Sequence, residues 1–170
     1  MAELERTRER ERPPLQDNNY ERNMRERKEF IERNLTGPVV IRREDRQLFQ
    51  ARQGKLLYYL CPNNHKETPL QHWRVFIQEI HTHSGKHRHA GGLLIYVLEG
   101  KGYTVVDGER HDWEKGDLVL LPLKVNGVEH QHFNLDPDKP SIWIAIINMP
   151  IHEYLASDME QIENSPDFKG

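Results

Sequence analysis

A single cysteine, Cys61, is the first scarcity in this chain of 170 residues. One thiol cannot close an internal disulfide, so no cross-linked secreted scaffold is expected, and a reducing compartment fits. Its default role is a buried structural one. Long hydrophobic runs are also missing, and no stretch reaches the ~20 apolar residues that span a bilayer. The N-terminal stretch is charged and lacks the apolar segment of a secretory signal, so a cytoplasmic location is the expectation. Positive charge is not in excess. Lys and Arg number 24 against 27 Asp and Glu, a formal net charge of −3. That balance lacks the basic footprint of a nucleic-acid binder, so neither nucleic acid nor membrane is expected as a partner.

What remains points to one domain with a sizeable core. Apolar residues make up only 36% of the chain. Much of the charge, however, is crowded into the first 34 residues, so the remainder is more apolar than the average suggests. Histidine is the unusual abundance. There are 10, and His81, His83, His87 and His89 fall within nine residues.

The chain divides into three stretches. Residues 1–36 are a charged arm and a helix. The arm has little apolar surface to bury. A helix is predicted from Asn18, with Asn18 as cap and Glu21 three residues later. Tyr20, Met24, Phe30 and Ile31 give it a partial apolar stripe, suited to packing on the barrel or on a second copy. Residues 37–150 read as strands. VVIRRED, QLFQARQGKLLYYL and WRVFIQEIHTH come first. LLIYVLEG, GYTVVDG, ERHDWE, DLVLLP, VEHQHF and SIWIAIIN follow, separated by Gly and Asp turns. That spacing is typical of an all-β barrel or sandwich. Residues 151–170 read as a helical tail through Ile151, Tyr154, Leu155, Met159 and Ile162.

The stretch from Gly85 to Gly108 organises the rest. His87 and His89 are two apart, so on a strand both rings project from one face. Such a pair can grip a metal, and imidazole suits zinc, iron, copper and nickel. His130 and His132 form a second cluster, able to supply a third nitrogen if the sheet folds back.

These residues resemble the cupin superfamily. Gly85, His87, His89 and Gly100 fit its first motif, and Gly116, Pro122, His130 and Asn134 fit its second. The resemblance covers roughly Leu70 to Met149 and implies a double-stranded β-helix, or jelly-roll barrel, to which the residue patterns add helical extensions at both ends. It implies His87, His89 and His130 as metal ligands. The glutamate of the common motif falls at Leu93, which cannot ligate. Three neutral histidines leave the charge of a divalent ion uncompensated and favour an anionic, chelating ligand. HRHAGGLLIYVLEG followed by HQHFN is similar to gentisate 1,2-dioxygenase-like cupins, although the usual tryptophan-rich segment is replaced by Leu123 to Glu129.

The expected activity is a mononuclear Fe(II) dioxygenase acting on a hydroxylated aromatic acid, with Zn(II), Mn(II) or Ni(II) as alternative ions. Leu93, Ile95 and Val97 would wall the ring. A redox-neutral lyase or isomerase is the alternative, with His132 or Tyr96 as base. A non-catalytic small-molecule-binding module, with its metal structural or absent, is the third reading. His132 shares strand parity with His130 and is expected at the cavity, in contact with substrate or as filler. Arg74 is a candidate for a substrate carboxylate, against an ordinary surface arginine. His81 and His83 are expected at the cavity rim. His65, His72, His111 and His152 are expected in solvated loops or tails, and Arg88 should point away from the metal. A homodimer is expected, as in similar cupins.

Overall fold

The computed structural model describes residues 18–155 and 159–170. Two compact units divide at Gly37. In the first, α1 (Asn19–Thr36) begins where Asn18 Oδ1 accepts the Tyr20 N–H at 2.9 Å, satisfying one of the free donors of the first turn. Its apolar residues Tyr20, Met24, Phe30, Ile31 and Leu35 are exposed.

The described residues of the second unit form eleven strands. They are β1 (Phe49–Ala51), β2 (Gly54–Leu60), β3 (Trp73–Ile80), β4 (Lys86–His89), β5 (Leu93–Glu99) and β6 (Lys101–Val106). After these come β7 (Glu109–Glu114), β8 (Leu118–Leu121), β9 (Val128–Asn134), β10 (Ser141–Asn148) and β11 (Glu160–Glu163). One antiparallel sheet runs β1-β2-β3-β10-β5-β8, the other β11-β4-β9-β6-β7. This is the all-β barrel expected from the turn spacing.

Alternation decides what faces inward. On β5, Leu93, Ile95 and Val97 are buried while Leu94 and Tyr96 are exposed. On β10, Trp143, Ala145 and Ile147 are buried between half-buried isoleucines. With Ile80, Leu121 and Met149 these residues form the core. The β4–β5 connection is tight. Gly91 and Gly92 have φ of 77° and 73°, a region that glycine enters without cost. A Cβ on Gly91 would also lie 1.9 Å from the Pro122 carbonyl oxygen, so this turn excludes every side chain.

Two sequence expectations fail. VVIRRED is not a strand. It is irregular up to a short 3-10 turn at Arg43–Asp45, where Asp45 Oδ2 accepts the Arg42 N–H at 2.9 Å. Among the described residues, the C-terminal tail is helical over α2 (Met149–Tyr154). Glu160–Glu163, including Ile162, is β11, antiparallel to β4 with Gln161 opposite His87. An open sheet edge satisfies a whole segment's backbone, and that outweighs a weak helical pattern.

Candidate metal centre

The site is built by strand parity and one cross-strand register. On β4, His87 and His89 point inward, and Arg88 points out to pair with Glu129 at 3.0 Å and Glu160 at 3.4 Å. On β9, His130 and His132 point inward, and His87 pairs directly with His130. The rings of His87, His89 and His130 therefore converge. Their candidate ligand nitrogens all lie within 4.8 Å of one another, and ring centroids are 4.2 Å apart for His87–His130 and 4.8 Å for His89–His130.

The local hydrogen bonds test whether a metal fits. A carbonyl oxygen only accepts, so a ring nitrogen bonded to one carries the proton. His87 Nδ1–H donates to the Gly85 carbonyl at 3.2 Å, and His130 Nδ1–H to the Val128 carbonyl at 3.3 Å. Each ring is left with Nε2 as its lone-pair donor, a common arrangement for metal-binding histidine. His89 differs: its Nδ1 accepts the Gly91 N–H at 2.9 Å. Ligation through its Nε2 requires that ring to give up the Nε2 proton or the Gly91 bond. Two rings are preset for an ion and the third must adjust.

Burial keeps the cluster neutral. It lowers the pKa of His87, and lowers His130 well below the ordinary value with help from the charges of His87 and His132. His89 is pushed down to about 3 by burial and then by His87 and His152. His132 is pushed down to about 3 by burial and then by His87 and His89. Neutral imidazole is the form that ligates.

The rest of the cavity comes from distant parts of the chain. Leu93, 5% exposed, lines it without offering a donor. Phe76, Trp143 and Ile147 add apolar wall, while Tyr58, Gln78 and Arg74 add polar groups. His132 is inside, its ring centroid 5.0 Å from Trp143. His152, from α2, also lines the cavity, 5.7 Å from His89. Arg74 Nε, Trp143 Nε1 and His152 Nδ1 are buried and have no hydrogen-bond partner among the described residues. The enclosed space is about 60 Å³, below the roughly 300 Å³ of small ligand pockets. A ring-sized ligand therefore needs side chains to move. Gln53 and Met159, joined Nε2 to Sδ at 2.8 Å, both line it. A larger groove of about 670 Å³ beside β7 and β8 contains none of the three converging histidines.

Several expectations need correction. Tyr96, a candidate base, is on the outer face of β5 and 44% exposed, because Leu93 and Val97 take the inner parity. Ile95 and Val97 are buried in the core and do not line the cavity. His81 and His83 are not at its rim. His81 Nε2 lies 3.0 Å from Lys55 Nζ, and His83 packs against Phe133. His152, expected in solvent, is half-buried in the cavity wall. Asn134 fits the second motif yet acts as a loop staple. Its Nδ2, with two hydrogens to donate, lies within hydrogen-bond distance of the carbonyls of His81, Asp136 and Lys139, and its Oδ1 accepts from Ser141 Oγ at 2.7 Å.

Comparison with known proteins agrees with this geometry. A family model described as Cupin domain matches residues 74–147. Gentisate 1,2-dioxygenase of Ralstonia sp. is 36% identical over 70 residues, 41% of this chain and 19% of that protein. Gentisate 1,2 dioxygenase 1 of Aquipseudomonas alcaligenes is 41% identical over 66 residues, 38% and 18% of the two chains. The match thus covers less than a fifth of either curated relative. Among solved structures, a cupin-like protein from Thermotoga maritima msb8 shares the fold. Its TM-score is 0.50 at 22% identity, over 65% of this chain and 78% of that one. The barrel has the all-β cupin fold, residues 74–147 match a cupin domain, and the chain resembles gentisate 1,2-dioxygenase-like proteins.

Proposed function

We propose that this chain is a metal-dependent dioxygenase of hydroxylated aromatic acids, with Fe(II) held by His87, His89 and His130. The observation that carries the reading is a coincidence in one cavity. A histidine cluster without a carboxylate lies beside an arginine whose buried Nε has no partner among the described residues. Three neutral ligands leave the ion's charge uncompensated, and Arg74 adds a further positive charge, so the cavity selects an anion. When bound, iron would supply Lewis acidity and oxygen chemistry that no side chain here possesses.

The chain's own residues bind, orient and keep the site dry. Arg74 and the Trp143 Nε1–H offer donors for a carboxylate, and hydrogen bonds to charged groups are the stronger class. Leu93, Phe76 and Ile147 offer apolar contact for a ring and leave little room for water. The gentisate dioxygenase relatives are named for an aromatic acid of this kind. The redox-neutral alternative is weakened because Tyr96, one of its two proposed bases, points out of the barrel.

Oxygen consumption after anaerobic reconstitution tests the reading. Fe(II)-loaded protein should consume O2 with a phenolic acid from a panel that includes gentisate and 2-hydroxybenzoate. Product formed without O2, or equal rates with Zn(II) and Fe(II), would overturn it.

A further inference from the structure

Behind the cavity, three buried side chains form a hydrogen-bonded line that the proposed chemistry has not yet used. Trp113 on β7 donates Nε1–H to Thr104 Oγ1 at 2.9 Å, and Thr104 Oγ1 lies 2.8 Å from His132 Nδ1. Sheet register sets the line. Thr104 on β6 is directly opposite His132 on β9, and Trp113 is opposite Gly102, two residues before Thr104 on the same face. Gly102 makes the space: a Cβ there would lie 2.4 Å from the indole Cη2. Thr104 and Trp113 are buried, as is His132.

Donor counting fixes the protons. Indole nitrogen only donates, so Thr104 Oγ1 accepts from Trp113. The Thr104 hydroxyl has one proton of its own. Among the described residues its recorded acceptor is His132 Nδ1. Were that nitrogen protonated instead, two N–H groups would point at one oxygen, and a buried O–H would be orphaned. Folded proteins avoid such an unmet buried donor. Nδ1 therefore accepts, and a neutral ring carries its proton on Nε2.

We propose that Trp113 and Thr104 are positioning residues that lock His132 as the Nε2–H tautomer, making it a fixed hydrogen-bond donor rather than a metal ligand or a general base. The proposal rests on the reading of His87, His89 and His130 as the metal site. It explains how a fourth inward histidine, with its ring centroid 5.4 Å from that of His130, avoids competing for the ion. One His132 nitrogen is engaged by Thr104 and the other is protonated.

Nuclear magnetic resonance of the full-length protein with 13C,15N-labelled histidine tests this, metal-free and zinc-loaded. His132→Gln identifies the His132 signals. Wild type and Thr104→Ser should both show protonated Nε2 and bare Nδ1. Thr104→Val, which keeps the shape and removes the hydroxyl, should lose that single tautomer. If the orphaned indole N–H prevents folding, the double variant Thr104→Val/Trp113→Phe removes both polar groups and should show the same loss. Protonated Nδ1 in wild type, or an unchanged tautomer in the variant that folds, would overturn the lock. His132→Gln should still bind one Zn(II) per chain, and loss of that stoichiometry would make His132 a ligand after all. Undiminished zinc binding in His130→Ala would instead sink the metal-site reading and leave the tautomer result standing.

Discussion

Acid should destabilise the metal-free protein well above the pH at which carboxylates begin to protonate. The perturbation is protonation of histidines that the fold holds neutral. An unfolded histidine titrates near 6.5, whereas burial pushes His89 and His132 down to about 3. Between those values the unfolded chain binds protons that the native chain refuses. Their contribution is therefore complete above pH 6.5 and is lost as pH falls toward 3. From pH 7.5 to pH 5 each ring should cost about 2 kcal/mol, from 1.36 kcal/mol per pH unit below 6.5. His87, His130 and His152 shift in the same direction. A loss of that size is a large share of a total stability of roughly 5–15 kcal/mol. Urea titration followed by tryptophan fluorescence, in chelator, at pH 7.5, 6.0 and 5.0 measures it. The midpoint should fall steeply, and His132→Gln should flatten the slope. A midpoint flat from pH 7.5 to 5.0 would refute the reasoning.

Arg74→Gln in zinc-loaded protein should weaken 2-hydroxybenzoate by roughly ten- to a hundredfold, the worth of a hydrogen bond to a charged group. Catechol, which lacks the carboxylate, should change little in calorimetry, and an equal loss for both would deny Arg74 that contact. Leu93→Glu should lower the stability of the metal-free protein, tighten Zn(II) and weaken 2-hydroxybenzoate, because the buried carboxylate offsets the ion's charge. Unchanged 2-hydroxybenzoate affinity in zinc-loaded Leu93→Glu would count against the charge argument. The exposed apolar residues of α1 suit a homodimer. Light scattering that finds a monomer both with and without residues 1–34 would reject it.

The part of the site legible in the sequence is the part set by local parity. His87 and His89 are two apart on one strand, and His130 and His132 on another, so each pair had to share a face once its run was a strand. The pairing of β4 with β9, from His87↔His130 to His89↔Val128, has no local signal, and the family motifs had to supply it. Parity also exposes the error over Tyr96: with Leu93, Ile95 and Val97 inward, Tyr96 had to point out. Apart from Arg74, the wall residues on β2, β3, β10 and α2 belong to no motif in the sequence. Arg74, Phe76 and Gln78 alternate on β3, and Ile147 and Trp143 of β10 lie opposite Arg74 and Gln78. Either strand's inner face could have been read from the other had their adjacency been known. His152 had no such route, because it reaches the cavity from a six-residue helix whose packing against the barrel is purely tertiary.

The number of free ligands separates a structural ion from a working one. A structural site is closed by four protein ligands, whereas a catalytic site keeps a position open. Three histidines converge here, and two further rings stand near enough to ask whether they close the shell. His132 has its Nδ1 engaged by Thr104. His152 has an unpartnered Nδ1, yet among the described residues it is outside the group whose nitrogens lie within 4.8 Å. Glu129 of β9 is turned outward and bound to Lys86 at 2.7 Å and to Arg88, so it is not free to swing in as a fourth donor. An ion held by three neutral rings next to Arg74 has unmet charge and unmet coordination on the cavity side. Both needs are answered by one ligand that is anionic and chelating. The absence of a carboxylate at Leu93 and the Arg74 Nε that is unpartnered among the described residues therefore both support the proposed phenolic acid.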